Sequence, residues 1–198
     1  MIVFQTPVAT PEHNSLAVKI GTYLEKKINS KYAVLYDTYC YIPHKILEKL
    51  GHLKNGDIHE YMQTRLIELG ASYTFVAETL SWLLKQGTMP SSYAPDIAVI
   101  NEQDYDNRFR IPLWIGEIVS KDSRDYDLYF KAYLYERLGV KEYFIFNTGH
   151  RSGKLIRIYY LQSDSTTFPQ YKITEFTETA ATVHSEILQL ALPINWTV

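Results

Sequence analysis

The sequence is poor in the features that define several classes of protein. It has a single cysteine, Cys40, so no disulfide can form within the chain, which is typical of a reducing compartment. No apolar run approaches the length needed to cross a bilayer. The N-terminal stretch lacks the positive charge and the apolar length of a signal peptide. The sequence therefore predicts a cytoplasmic protein with no membrane association.

Positive charge and zinc ligands are also scarce. The chain carries 20 Lys and Arg against 22 Asp and Glu, a net charge of -2. This balance argues against a uniformly basic surface for nucleic acid but allows a local patch. The six histidines show no zinc-ligand spacing, since His59-Glu60 is not followed by a second histidine one helical turn later.

The abundant residues indicate a globular protein with a sizeable core. Hydrophobic residues make up 46% of the 198 residues and charged residues 21%, which is ordinary for such proteins. The length is most simply a single domain over residues 1–198. Tyrosine is unusually frequent, with 17 copies, and suits half-buried sheet faces and interfaces.

Hydrophobic periodicity indicates an α/β fold. The predicted helices cover residues 11–29, 44–50, 57–69, 73–85, 124–138 and 183–192. The predicted strands cover residues 32–42, 94–100, 113–119, 142–146, 155–161 and 171–176. The helices within residues 44–90 separate the first strand from the rest of the sheet. We interpret them as a helical insert that serves as a lid, a specificity element, a dimer surface or a site for another protein.

Two acidic residues occupy positions where charge is normally excluded. Asp96 opens one apolar run and Glu117 lies inside the next. Because an unpaired buried charge costs several kcal/mol, each needs a counter-charge or a metal. Lys131 lies on the apolar face of the following helix, with Asp127 and Tyr135, and so can meet them. The alternatives are acids that cap turns or pair with arginine, and a lysine whose stem covers apolar surface while its amine reaches water.

The same region resembles a known family. The residues that carry the resemblance are Pro95-Asp96, Glu117-Ile118-Val119-Ser120, Asp127, Lys131, Tyr135 and the run 138–144. They resemble the Uma-type restriction endonucleases of the PD-(D/E)XK nuclease superfamily. The resemblance is specific over about a quarter of the chain, between Pro95 and Asn147. It implies a restriction-endonuclease-like fold, a mixed β-sheet flanked by helices, and metal-dependent hydrolysis of DNA.

The resemblance also assigns roles to residues. Asp96 and Glu117, with the backbone carbonyl of Ile118, are expected to hold Mg²⁺ or Mn²⁺ through oxygen. Lys131 is expected to assist the attacking water and to stabilise charge on the phosphate. The superfamily lysine two residues after the glutamate is here Val119, and Lys131 corresponds to the lysine that the Uma-type branch carries on the next helix. The residues expected to support this site are Tyr135, Asp127, Ser120 and His13.

Other candidates for the site remain open. Glu12 or Glu25 on the first helix is a further candidate metal ligand, with no basis for choosing between them. Residues 120–124 combine hydroxyls and cations at a helix start, which suits phosphate binding and ordinary helix capping equally well. The basic residues that could extend a DNA-contact surface, or simply form solvated faces, are Arg108, Arg110, Lys141, Arg151, Lys154 and Arg157.

The sequence supports two functions of different kinds. The first is a metal-dependent DNA endonuclease that acts as a homodimer, because cutting both strands of a duplex usually takes two sites. The second is a nuclease fold that has lost catalysis and binds DNA or a protein partner. The absence of a lysine at Val119 and the mildly acidic charge favour the second.

Overall fold

The computed structural model describes residues 9–44, 46–47, 56–86, 89–119, 124–149, 152–162, 169–176 and 181–197. The helices are α1 (Pro11–Lys27), α2 (Gly56–Glu68), α3 (Tyr73–Gln86) and α4 (Ala132–Leu138), with a π-helical turn, Tyr126–Lys131, directly before α4. The strands are β1 (Tyr32–Tyr36), β2 (Cys40–Tyr41), β3 (Ser92–Tyr93), β4 (Ile97–Asn101), β5 (Trp114–Val119), β6 (Glu142–Gly149), β7 (Ser152–Gln162), β8 (Gln170–Glu175), β9 (Thr182–Ser185), β10 (Leu190–Pro193) and β11 (Asn195–Thr197).

Seven of the described strands form one mixed sheet. Its order is β1-β4-β5-β6-β7-β11, and β8 also pairs with β7. Strands β5 and β6 run parallel, as expected for two strands joined by a helix, and the other pairs are antiparallel. The predicted mixed sheet flanked by helices is therefore confirmed.

Both faces of the sheet are covered, so its central strands are buried on two sides. One face carries Ile115, Tyr143 and Ile145 and packs against α2, α3 and α4. The opposite face carries Trp114 and Phe144 and packs against α1 and the C-terminal strands. Every residue of β5 is buried, including Glu117. Side chains alternate along a strand, so Glu117 faces the same layer as Ile115.

The ends of two helices follow the predicted signals. The Thr10 hydroxyl accepts a hydrogen bond from the His13 N–H, and Pro11 is the first helical residue of α1. At the other end of the fold, α4 stops at Gly139, which has φ of +85°. Glycine adopts this left-handed conformation at little cost, so the turn into β6 is tight.

One predicted element is wrong and another is interrupted. The predicted helix at residues 183–192 is the antiparallel pair β9 and β10. Alternating burial from Leu188 to Trp196 is a strand pattern, and buried Glu142 holds the turn between the two strands by accepting hydrogen bonds from Ser185 and two backbone N–H groups. The predicted strand at residues 32–42 breaks at Asp37, which has φ of +44°, and β2 then pairs with β3.

The predicted insert is built into the core on the side that carries Glu117. Residues Met62, Leu66, Phe75 and Leu83 of α2 and α3 pack against the sheet layer. The predicted helix at residues 44–50 lies partly outside the described residues, with positions 44, 46 and 47 helical. No described helix is long and apolar enough to span a membrane.

A buried charge network ties α2 to α4. The Arg65 guanidinium donates to Glu136, with Nη2 to Oε2 at 2.6 Å. Glu136 also accepts from the Tyr171 N–H of β8 at 2.6 Å and from Arg137 at 3.0 Å. Buried charges are tolerated when each is paired and hydrogen-bonded, and here the network fixes the far end of α4.

Candidate active site

Asp96 lies where β4 and β5 stop pairing. The antiparallel register runs from Val99 opposite Trp114 to Ile97 opposite Gly116, so Asp96 stands opposite Glu117 at the next position. Asp96 itself precedes β4 and forms a bend. Its Oδ2 accepts a hydrogen bond of 2.7 Å from the Ile118 N–H. The carboxylate thus takes the place of a backbone acceptor and is held beside Glu117.

Glu117 and Lys131 form a buried ion pair across the sheet and helix layers. Glu117 is 1% exposed, and its Oε2 lies 2.9 Å from the Lys131 ammonium. Its Oε1 accepts a hydrogen bond of 2.6 Å from the Tyr135 hydroxyl. Lys131 also lies 2.9 Å from Asp127. Both oxygens of Glu117 therefore have partners, and the lysine is shared between two acids.

The π-helical turn that carries Lys131 is held by tyrosines from the sheet. The Tyr143 hydroxyl donates to the Asp127 carbonyl at 2.8 Å, and the Tyr159 hydroxyl donates to the Leu128 carbonyl. The two rings stack with centroids 5.3 Å apart. A π-turn changes the direction of side chains relative to a regular helix and is often found at functional sites. Sequence reasoning missed both tyrosines because buried tyrosines are spread over several strands.

His13 reaches the site from the opposite layer. Its Nε2 lies 3.1 Å from Asp96 Oδ2, and this contact joins α1 to the end of β4. The Asp37 N–H donates to the Asp96 carbonyl at 3.3 Å, so the break after β1 also borders the site. Asp96 is thus contacted both from α1 and from the end of β1.

The site holds more acidic than basic groups, and this sets its pKa values. Burial raises the pKa of Glu117 well above its ordinary value, and the charges of Asp96 and Asp127 reinforce this shift against the opposing charge of Lys131. Burial alone would lower the pKa of Lys131, but the three acids together raise it well above its ordinary value. Lys131 is therefore a firmly protonated cation.

Asp96 and His13 shift in opposite directions. Burial would raise the pKa of Asp96, but the His13 hydrogen bond, the charge of Lys131 and the Ile118 N–H outweigh burial and lower it. The hydrogen bond to Asp96 raises the pKa of His13 despite the burial of the ring. Asp96, whose pKa is lowered, thus lies beside Glu117, whose pKa is raised.

Most of the predicted site residues come together, and some do not. The structure gathers Asp96, Glu117, Ile118, Asp127, Lys131, Tyr135 and His13. Ser120, and with it most of segment 120–124, lies outside the described residues. Glu12 is exposed, and Glu25 instead interacts with Tyr36. Of the basic residues proposed to contact DNA, Arg157 is bound to Glu175 and Tyr159.

The donor types fit a hard divalent cation. Mg²⁺ prefers carboxylate and carbonyl oxygens, and three acids against Lys131 and His13 leave room for added positive charge. Among the described residues there is no group of three or more acidic, histidine or cysteine side chains with the arrangement of a metal centre. A cation bound to Glu117 would therefore have to compete with Lys131 for one of its oxygens.

A cavity of about 680 Å³ lies elsewhere, on the outer side of α2 and α3. Its lining includes Gln63, Tyr73, Ala77 and Lys85. Lys85 is the one charged side chain among the described residues of this lining, so the cavity offers no chemistry comparable to the cluster around Glu117.

The fold and the site together define a class of protein. A mixed sheet with two acids at the fork of antiparallel strands, and an amine from the helix between two parallel strands, is the restriction-endonuclease-like arrangement. The family profile described as "Uma2: Putative restriction endonuclease" matches residues 51–196. The chain belongs to this family.

One solved structure supports the fold. It is the crystal structure of a putative nuclease belonging to DUF820 from Anabaena variabilis. The two chains superpose with a TM-score of 0.54 at 11% sequence identity, over 96% of this chain and 82% of that one. At this identity the similarity shows a shared fold. No curated protein matches the sequence.

Proposed function

We propose that the protein is a metal-dependent endonuclease that hydrolyses phosphodiester bonds in DNA. The observation that carries this proposal is the convergence of Asp96, Glu117 and Lys131 at the fork of β4 and β5. A structural ion pair needs one acid for one base. Here Glu117 and Asp127 share one lysine, and a third acid, Asp96, lies beside Glu117 at the strand end, an arrangement that stability alone does not require.

Each residue has a distinct role in the proposal. Asp96, kept ionised by His13 and the Ile118 N–H, and Glu117 would hold Mg²⁺ or Mn²⁺, together with the Ile118 carbonyl. The bound cation would supply Lewis acidity and lower the pKa of a coordinated water. Lys131, firmly protonated, would stabilise negative charge on the phosphate and orient the water through its N–H groups.

Three groups would keep this arrangement in place. Asp127 shares the Lys131 ammonium at 2.9 Å, so the lysine keeps a partner when Glu117 turns toward a cation. The Tyr135 hydroxyl orients Glu117 at 2.6 Å, and His13 orients Asp96 at 3.1 Å. In this way the acids and the amine would be fixed before substrate binds.

A plasmid assay tests the proposal directly. We expect supercoiled DNA to be nicked or linearised with Mg²⁺ or Mn²⁺ and to stay intact with EDTA. Asp96→Asn keeps the size of the side chain but removes its charge, and should reduce cleavage by about 100-fold or more. Glu25→Gln, on the exposed side of α1, is the matched control and should cleave normally. Equal activity of Asp96→Asn and the wild type would contradict the assignment.

A second candidate function is supported by one observation. Both oxygens of Glu117 already have partners, and Val119 stands where the superfamily lysine would be. A nuclease fold that only binds DNA or a protein partner would show this closed cluster. Calorimetric titration with Mn²⁺ separates the two functions: the endonuclease should bind the metal, whereas a binding module should bind DNA with no metal uptake.

We also propose a two-fold dimer as the active form on duplex DNA. One active site cuts one strand, so cutting both strands in a single event takes two copies related by symmetry. Light scattering with and without a short duplex tests this. A monomer that still linearises plasmid in one step would contradict it.

A further inference from the structure

Most of the exposed aromatic side chains in the described residues lie in two short segments of the chain. Large apolar side chains are exposed at Val18, Tyr39, Tyr41, Tyr73, Leu84, Tyr105 and Phe109. Four of the five aromatic residues in this set belong to only two segments, 39–41 and 105–109. Exposed rings gain nothing from folding, since their apolar surface stays in water. Such a cluster indicates a binding surface.

The two segments pack together. The Tyr41 N–H donates to the Arg108 carbonyl at 2.9 Å, and the rings of Tyr41 and Phe109 meet edge to face with centroids 6.4 Å apart. The Arg108 guanidinium lies 4.9 Å from the centroid of the Phe109 ring. Cys40 is buried between Tyr39 and Tyr41, so both tyrosines point outward. We call Tyr39, Tyr41, Arg108 and Phe109 the aromatic platform.

The platform adjoins the candidate active site. Asp37 donates its N–H to the Asp96 carbonyl, and Tyr39 follows two residues later, within about 7 Å along the chain. Tyr41 pairs with Ser92, which is four residues from Asp96 and so at most roughly 14 Å away. At about 3.4 Å per stacked nucleotide, roughly two to four nucleotides cover these distances.

The local charge indicates which part of a nucleic acid the platform would bind. Arg108 and Arg110 are accompanied in the same loop by Glu102, Asp104 and Asp106. A surface of such mixed charge attracts a phosphate backbone weakly. Exposed rings with an arginine over one face suit the flat faces of bases instead. In a duplex those faces are stacked on one another and inaccessible, so the ligand must be unpaired.

We propose that the aromatic platform binds unpaired bases by stacking and places single-stranded DNA, or a single-stranded segment of a longer DNA, at the Asp96–Glu117 site. This inference rests on the proposed nuclease function and specifies its substrate.

Binding in EDTA tests the inference without requiring catalysis. A fluorescein-labelled oligothymidylate and a duplex of equal length are titrated with protein, and anisotropy is followed. We expect the single strand to bind more tightly than the duplex. Phe109→Leu keeps an apolar side chain but removes the ring, and should weaken single-strand binding by about 5-fold or more, as should Tyr41→Ser. Tyr73→Ser, at a tyrosine on α3 that is more exposed than Tyr41 (75% against 45%), is the control and should bind like the wild type.

Salt dependence adds an independent readout. Two arginines allow a slope of log K against log salt no steeper than about -1.4, at roughly 0.7 per neutralised phosphate of a single strand. Unfolding curves that match the wild type show that the platform variants are folded. Wild-type binding by Phe109→Leu and Tyr41→Ser, tighter binding of the duplex, or no binding of either DNA would overturn the inference.

Failure of this binding experiment can be distinguished from failure of the plasmid cleavage assay. Plasmid cleavage by a protein that does not bind oligothymidylate would contradict the platform and leave the nuclease proposal standing. Binding that depends on Phe109, without cleavage of any DNA, would support the platform and contradict catalysis.

Discussion

The sharpest consequence of the acidic cluster is that Glu117→Gln should cost little stability. Glutamine keeps the length of the side chain and can still accept a hydrogen bond from the Tyr135 hydroxyl. Lys131 keeps its ion pair with Asp127 at 2.9 Å, so no buried charge loses its only partner. The change also removes a carboxylate whose pKa is raised by burial and by Asp96 and Asp127. We expect the free energy of unfolding, measured in EDTA, to stay within about 1 kcal/mol of the wild type.

Lys131→Met should behave in the opposite way. It leaves Glu117 and Asp127 buried and facing each other with no cation. Removing one partner of a buried ion pair typically costs about 3–5 kcal/mol. Because the folded-state pKa of Glu117 lies above its unfolded value, protonation at low pH relieves the repulsion. The loss should therefore be smaller near about pH 5 than near about pH 8.

Urea unfolding with and without Mn²⁺ distinguishes a functional site from a structural one. A metal held by Glu117 stabilises the wild type by about 1.4 kcal/mol when its concentration is tenfold above Kd, and Glu117→Gln should lose most of this gain. A loss of more than about 3 kcal/mol for Glu117→Gln in EDTA, with an unchanged gain from Mn²⁺, would refute the reasoning, because Glu117 would then be a structural partner only.

Three further predictions concern the surroundings of the site. His13→Gln should lower the free energy of unfolding most near about pH 5.5 and least above about pH 8. The hydrogen bond to Asp96 raises the folded-state pKa of His13. The stabilisation that His13 provides is therefore complete below its unfolded-state pKa and is lost as pH rises through its folded-state pKa. Partial exposure of the ring limits this effect to about 1 kcal/mol in urea unfolding. Tyr143→Phe removes a hydrogen bond to the π-helical turn and should cost about 1–2 kcal/mol and lower plasmid cleavage, whereas Tyr160→Phe, on the same strand pair, should not lower cleavage. Arg65→Met leaves the buried Glu136 carboxylate with Arg137 as its remaining cationic partner. This change should lower the free energy of unfolding by about 3–5 kcal/mol.

The candidate site was easier to predict from the sequence than the fold of the C-terminal residues. Asp96 and Glu117 are conspicuous because acids are rare in apolar strands, and helical spacing placed Lys131 on their side. Residues 183–192 carry apolar residues that fit both a helix and a pair of strands. There the choice is made by Glu142, a buried carboxylate distant in sequence that caps the intervening turn.

Long-range polar contacts account for the other differences. The break at Asp37 comes where its N–H donates to the Asp96 carbonyl, a contact that no local pattern reveals. The π-helical turn is invisible to a helical-wheel argument, since Asp127 and Lys131 are four residues apart in either kind of helix. The ion pair of Arg65 and Glu136 joins two helices through residues that are 71 positions apart in the sequence. Patterns of single residues do not specify such pairs.

The helix that presents Lys131 is anchored at both of its ends. Tyrosine hydroxyls from the sheet hold its first turn, and Glu136, bonded to Arg65 and to the backbone of β8, holds its last. If the ammonium changes partners during a reaction, the four-carbon stem of Lys131 must swing while the backbone stays still. Opening and closing at this centre would then be as fast as rotamer exchange and would need no domain motion.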